Sequence, residues 1–347
     1  MLLAVFFLFL RMVFFNGIHQ KSGFRAGFLL LLLVSFAWSS CDAPRSNPLD
    51  PGNPSNRIYQ LKGTVLSAER SPRPLGGVTV FWADENLSTR SASDGTFALQ
   101  CEKRTPGWLV FTLEGYTPDS VYVDWGGEKS VTLSPRLNAL PVLGGLNIYS
   151  TVRNKYSNTE FLLYFEVTVT DADDDIDSVK IICDPLLVNV SLTKQTASYF
   201  EGRFYDYELE LTEFNDVIGK PFRVVAVTES GKSFQVGSST VLRVIRDEVE
   251  VITPKNSDTL STTTPLLNWN RFTPGFSFTY TLEIYTDETE PVLQWRKENV
   301  SSDEIFMQVD TPLTVTPNND RFFWVIWCID EYKNKSRSKP AGFTIRP

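Results

Sequence analysis

Beyond residue 57 the chain alternates apolar and polar positions in short runs broken by Gly, Pro, Asn and Asp. A period of two predicts β-strands rather than helices. Strands are expected over 60–66, 78–82, 96–100, 108–113, 120–123 and 130–133, with Pro74-Leu75-Gly76-Gly77 and Ser93-Asp94-Gly95 as turns in which glycine adopts positive φ at no steric cost. Runs over 161–170, 178–183, 197–211 and 222–227 predict a second set, and the run over 321–329 belongs to a third. The expected fold class is all-β: three tandem β-sandwich domains, at 58–138, 139–247 and 248–347, on an N-terminal tether.

The strand expected over 321–329 is unusual on both faces. Phe322, Trp324, Ile326 and Cys328 fall on one side, as a core set should, and Phe323, Val325, Trp327 and Ile329 on the other. A face that apolar is expected to be covered. Packing against the second domain or a neighbouring strand is one reading; a partner-binding surface of Phe323, Val325 and Trp327 is the other.

The N-terminal 40 residues have a different pattern. Lys21 and Arg25 precede an apolar run over 26–38, which ends in Ser39-Ser40-Cys41. The order is that of a secretory signal, and the run is shorter than the roughly 20 residues a helix needs to span a bilayer. Met12 offers a second start that gives a more usual signal length. Small residues before Cys41 resemble the lipobox of bacterial lipoproteins, which implies a lipidated Cys41, cleavage just upstream and a membrane partner through the lipid. An ordinary signal cut near Ser40 is the alternative. Segment 42–56 carries Pro44, Pro48, Pro51 and Pro54 among Asn, Asp, Gly and Ser, so it neither pairs in a sheet nor buries apolar area. Fully extended at ~3.1 Å per residue, it would span roughly 45 Å as a tether over 41–57.

Two of the three domains carry more specific resemblances. Gly63-Thr64-Val65, Pro74 to Val80, Ser93-Asp94-Gly95-Thr96-Phe97 and Gly115-Tyr116 follow in order the pattern of the carboxypeptidase regulatory-like domain, a small transthyretin-like sandwich. That resemblance implies a structural or docking module and brings no catalytic residue. Pro265 to Trp269, Tyr280 to Tyr285, Phe322 to Asp330 and Asn334-Lys335-Ser336 resemble fibronectin type III, with Trp269 as the core tryptophan. The second domain is loosely immunoglobulin-like.

Charge and rare residues narrow the chemistry. The formal charge is −8; without the first 40 residues, which hold three basic side chains and no acid, 30 basic side chains face 41 acidic ones, a net −11. Such a chain repels nucleic acid. The single histidine, His19, lies in the expected signal, so the mature chain has no imidazole for Ser-His or Cys-His catalysis or for a histidine-bound zinc. Cys101, Cys183 and Cys328 fall one to a domain and are expected to be free and buried. Ser191-x-x-Lys194 lacks the companion motifs of penicillin-recognising enzymes, and Gly231-Lys232-Ser233 lacks the leading glycine of a phosphate loop and reads as a hairpin turn.

The one candidate metal site is the acidic string Asp171, Asp173, Asp174, Asp175 and Asp177, whose hard oxygens suit calcium. Ile176 and Ile182 stand where an EF-hand needs Gly and Glu, so either distant oxygens complete a calcium loop or the string is a solvated connection.

Together these features predict no enzyme. They predict an envelope lipoprotein, on the outer membrane, that adheres or scaffolds through its β domains. The alternative is a glycan-capturing lipoprotein using exposed aromatics such as Trp82, Trp125 or Trp295; a lipid-anchored hydrolase is a minor third. The partner is protein or glycan.

Overall fold

The computed structural model describes residues 58–316 and 319–346; the signal, Cys41 and the tether lie outside the described residues. The described chain is built from β-strands with two short 3₁₀ turns, Asp184–Leu186 and Phe214–Val217. No helix among the described residues is long and apolar enough to cross a membrane.

In the N-terminal region Leu87–Arg90, Thr79–Trp82, Gly107–Thr112 and Asp119–Val123 form an antiparallel sheet in that order. Alternation buries Val80, Trp82, Leu109, Phe111 and Val123. Glycine is required at Gly63, where a Cβ would lie 1.9 Å from the Leu133 carbonyl oxygen, and at Gly95, whose φ of +75° closes the turn before Thr96. Residues 58–61, 100–106 and 124–131 cluster as a compact unit of their own. Within it the Trp125 ring meets Tyr59 edge-on at 5.6 Å and donates from Nε1 to the Thr105 carbonyl at 3.0 Å.

The second sandwich packs two sheets around one core. Val142–Asn154 pairs with Thr159–Thr170, which pairs with Tyr199–Tyr205 and through it Thr193–Lys194. The facing sheet runs Val188–Ser191, Ile176–Cys183, Pro221–Thr228, Ser233–Thr240. Phe165, Val167, Ile181, Phe200, Phe222 and Val224 fill the space between. The Gly231 turn, φ +79°, joins the last two strands as the sequence predicts.

The third sandwich has a separate core of Leu267, Trp269, Tyr280, Leu282, Trp324, Ile326 and Phe343. Trp269 is buried and meets Tyr280 edge-on at 5.5 Å, the role expected of it. Its larger sheet contains Leu293–Ser301, Phe278–Thr286, Arg321–Asp330, Lys335–Arg337 and Ala341–Ile345. The smaller one contains Val251–Thr253, Leu266–Trp269 and Phe306–Gln308.

These two sandwiches share a sheet. Val142–Asn154 pairs in parallel with Lys335–Arg337, in the register Thr151 to Lys335, Val152 to Ser336 and Arg153 to Arg337. A ten-stranded sheet therefore runs from one core to the other. Strand Val142–Asn154 has pairing partners on both edges, and from Ile148 to Val152 every residue is buried. Burial on both faces removes the alternation that would have revealed it in the sequence.

Candidate functional site

One face of the ten-stranded sheet packs on the two cores; the other carries aromatic and charged side chains. Strand parity puts Asn147, Tyr149, Thr151 and Arg153 on this outer face, with Glu166, Tyr164, Leu162 and Glu160 opposite them on the next strand. Across the seam come Lys335 and Arg337, then Trp327, Val325 and Phe323, then Glu283 and Tyr285.

The outer-face rings are ordered. Tyr149 and Tyr164 stack at 5.1 Å with 6° between planes, and Tyr285 stacks on Phe323 at 5.4 Å. Glu283, almost wholly buried, accepts from Trp327 Nε1 at 2.8 Å and Tyr285 Oη at 2.9 Å, and pairs with Arg296 at 3.4 Å. Burial first, then that hydrogen bond to Glu283, pushes the Tyr285 hydroxyl up to about 12. Glu166 accepts from Lys333 at 2.8 Å, Tyr149 Oη at 2.9 Å and Asn147 at 3.0 Å. Burial pushes its carboxyl up, but these donors and the Lys333 charge outweigh burial and hold it below the usual carboxylate range.

Beside the stacked tyrosines lies a groove of about 460 Å³ lined by Tyr149, Tyr164, Glu166, Thr193, Gln195, Glu201 and Arg203. Half-buried Tyr164, backed by the buried Tyr149, with amide, carboxylate, hydroxyl and guanidinium groups around an open groove suits a polyhydroxylated ligand: the Tyr164 ring packs on an apolar sugar face and polar groups pair with hydroxyls. A second hollow of about 490 Å³ includes Glu248 and Lys339, which pair with each other at 2.7 Å.

Several residues singled out in the sequence take other roles. Trp82, Trp125 and Trp295 are buried, so none offers a sugar-stacking surface; each sits at an inward position of its sheet or loop. Among the described residues the exposed tryptophan is Trp108, paired edge-on with exposed Tyr122 at 5.3 Å and 68°, an angle that makes no flat platform. Val325 is fully buried and Trp327 nearly so, while Phe323 is half-buried. Lys335 and Arg337 of the neighbouring strand lie over Trp327 at 5.3 and 5.8 Å, and Tyr285 stacks on Phe323. Any partner at this face therefore meets the cations before it meets Trp327. Arg153, Arg337, Tyr149 and Tyr164 carried no sequence signal, and Lys335 entered only within the Asn334-Lys335-Ser336 resemblance.

Cys101, Cys183 and Cys328 are buried, as expected, and burial pushes the Cys328 thiol up to about 12. Lys194 donates to the Ile176 carbonyl at 2.6 Å while Ser191 faces solvent, which leaves no catalytic pair.

In the acidic string Asp174 and Asp177 are exposed, whereas Asp171, Asp173 and Asp175 turn inward. Asp171 accepts the Asp173 N–H at 2.7 Å, and Asp173 Oδ2 accepts the Ala139 N–H. Among the described residues no three Asp, Glu, His or Cys side chains are grouped to hold a metal ion. Burial, then neighbouring acids, holds Asp171 and Asp175 above the usual range, and burial does the same to Asp173. An acid raised on folding binds more protons folded than unfolded, so stability falls as pH climbs from the ordinary aspartate value through the raised one. Asp173→Asn keeps an acceptor for Ala139 and removes a buried charge. Thermal melts should therefore place the variant above the parent at pH 7 and level with it near pH 4. A lower midpoint at pH 7 that calcium and chelator modulate only in the parent would show instead that a cation holds this carboxylate.

No family model matches the chain, and no curated protein matches it. Among solved structures it is similar to the FN1–FN3 domains of chicken CNTN1, at 8% identity and TM-score 0.29, covering 82% of this chain and 90% of that one. It is similar to fibronectin(III)-like modules of Clostridium thermocellum CbhA, at 12% identity and TM-score 0.26, covering 59% and 93%. A structure of a 1.5-MDa bacterial ice-binding adhesin is similar at 13% identity and TM-score 0.24, covering 83% and 97%.

Proposed function

We propose that this chain is a lipid-anchored, non-catalytic binding protein of the bacterial cell envelope that captures a saccharide on the shared sheet of its second and third sandwiches. The observation that carries the binding role is the groove: stacked Tyr149 and Tyr164 beside Glu166, Gln195, Glu201 and Arg203, on a sheet face that packs on neither core. Glu201 and Arg203 are exposed and project from one strand; Glu201 accepts from Gln195 at 3.0 Å and Tyr199 Oη at 3.4 Å, an exposed polar cluster that ligand hydroxyls can join. Anchoring rests on the sequence around Cys41, and the first sandwich with the proline-rich tether then serves as spacer.

Affinity electrophoresis of the full chain through gels containing neutral and acidic polysaccharides tests the binding role. Retention by at least one polysaccharide, weakened about tenfold in Glu201→Gln and Arg203→Gln at unchanged thermal midpoint, is the expected result. Unretarded migration in every gel would defeat it. Labelling with a clickable palmitate tests the anchor separately: label should be present in the parent and lost in Cys41→Ala.

A further inference from the structure

Three cations, Arg153, Lys335 and Arg337, meet where the two sandwiches join, and among the described residues none of them forms an ion pair. The parallel register sets Arg337 beside Arg153 and Lys335 beside Thr151. The Lys335 ammonium lies 5.3 to 5.6 Å from the ring centres of Trp327, Tyr164 and Tyr149, and Arg153 donates to the Tyr164 hydroxyl at 3.1 Å. The acids of the same face are already engaged: Glu160 by Lys155, Glu166 by Lys333 and Glu283 by Arg296. Burial, and after it the charge of Arg153, holds both Lys335 and Arg337 below their usual basic ranges.

The cluster also leaves polar groups unmatched. Arg153 Nε, Arg337 Nε and Thr151 Oγ1 are buried without a hydrogen-bond partner, and Thr151 is fully buried. Buried polar groups in folded proteins almost always have partners, so three together call for a group that completes them. Guanidinium forks and an ammonium are the donors that carboxylates and sulfates take.

We infer that Arg153, Lys335 and Arg337 form an anion subsite of the saccharide-binding face, taking a carboxylate or sulfate borne on a sugar ring. This rests on the saccharide reading above. Tyr149 and Tyr164 belong to both places: they wall the groove and lie under Lys335. Glu166 and Glu201 in the groove repel a densely charged polymer. The ligand that fits alternates neutral, hydroxyl-rich rings with isolated anionic groups.

Isothermal titration of the full chain in detergent with matched pairs, each charged on alternate rings only, tests the subsite: hyaluronan oligosaccharides against their carboxyl-reduced form, and κ-carrageenan oligosaccharides against their desulfated form. The acidic member of one pair should bind at least tenfold tighter at low salt, with the advantage shrinking as salt rises; which pair shows it separates carboxylate from sulfate. Lys335→Gln and Arg337→Gln should each weaken acidic binding about tenfold and neutral binding less than twofold. Arg337→Lys, which keeps the charge and loses the fork, should fall between, with melts confirming that each variant is folded. Equal affinity for both members, or a preference that survives both Gln substitutions, overturns the subsite and leaves the groove reading standing. Failure to bind any saccharide removes both. Polyglutamate binding as tightly as the acidic sugars would assign the cations to an acidic peptide and overturn the proposal.

Discussion

Asp330→Ala is expected to lower stability in urea denaturation by about 3–5 kcal/mol, the usual cost of removing one partner from a buried ion pair. The Asp330 side chain is fully buried and pairs with Arg243 at 2.7 Å. Its Oδ1 accepts the N–H groups of Tyr332 and Asn334 at 2.9 and 2.8 Å, and its Oδ2 accepts Asn334 Nδ2 at 3.1 Å. Asn334 passes the connection to the second sandwich: its Oδ1 accepts the Ser150 N–H at 2.9 Å and the Ser150 hydroxyl at 3.1 Å. Ser150 Oγ lies 3.0 Å from the Arg243 carbonyl, which closes the circuit. One carboxylate thus shapes the 330–334 turn, neutralises a half-buried arginine and holds the seam on which the cation cluster depends. Asn334→Ala should cost about 2 kcal/mol by stranding the Ser150 N–H. The two effects should fall short of adding, because the double variant strands shared partners once. A loss under 1 kcal/mol for Asp330→Ala would show that the seam is held elsewhere.

Trp324→Ala is expected to cost about 3–5 kcal/mol, the range for emptying a core tryptophan site. Its ring is fully buried among Phe322, Ile326 and Phe343, and Nε1 donates to the Pro254 carbonyl at 2.7 Å. Trp324→Phe keeps much of the volume and loses that donor, so about 1–3 kcal/mol is expected. If both substitutions cost the same, the hydrogen bond rather than the packing dominates this site. Either variant acts on the core face of the strand that also carries Trp327, three residues on. Ligand binding per folded molecule should therefore survive in Trp324→Phe, and calorimetry at a temperature where the variant is folded checks this.

Much of the strand content was legible from alternation alone. The strands Thr96–Cys101, Gly107–Thr112, Thr159–Thr170 and Arg321–Asp330 fall where period-two patterning places them. Among the strands missed, two failed for opposite reasons. Val142–Asn154 is buried on both faces through its second half, and Ser233–Thr240 is nowhere fully buried, so neither shows a clean alternation. Aromatic identity misled at Trp82, Trp125 and Trp295, because composition does not reveal which way a side chain points.

The candidate site was less legible than the fold. Phe323, Val325 and Trp327 marked a face in need of cover, and the structure places Lys335 and Arg337 over Trp327 and Tyr285 over Phe323. Arg153 belongs to the same cluster from the far side of the seam, and nothing near it in the sequence marks it as different from any other strand arginine.

The sequence by itself determined the all-β class, the buried cysteines, the core role of Trp269 and the scarcity of imidazole, because these follow from local period, turn chemistry and composition. Tertiary structure alone decided that two sandwiches share a sheet and that three cations meet at its seam. A parallel pairing between distant strands is set by the closure of two separate cores, and no short-range pattern along the chain encodes its register.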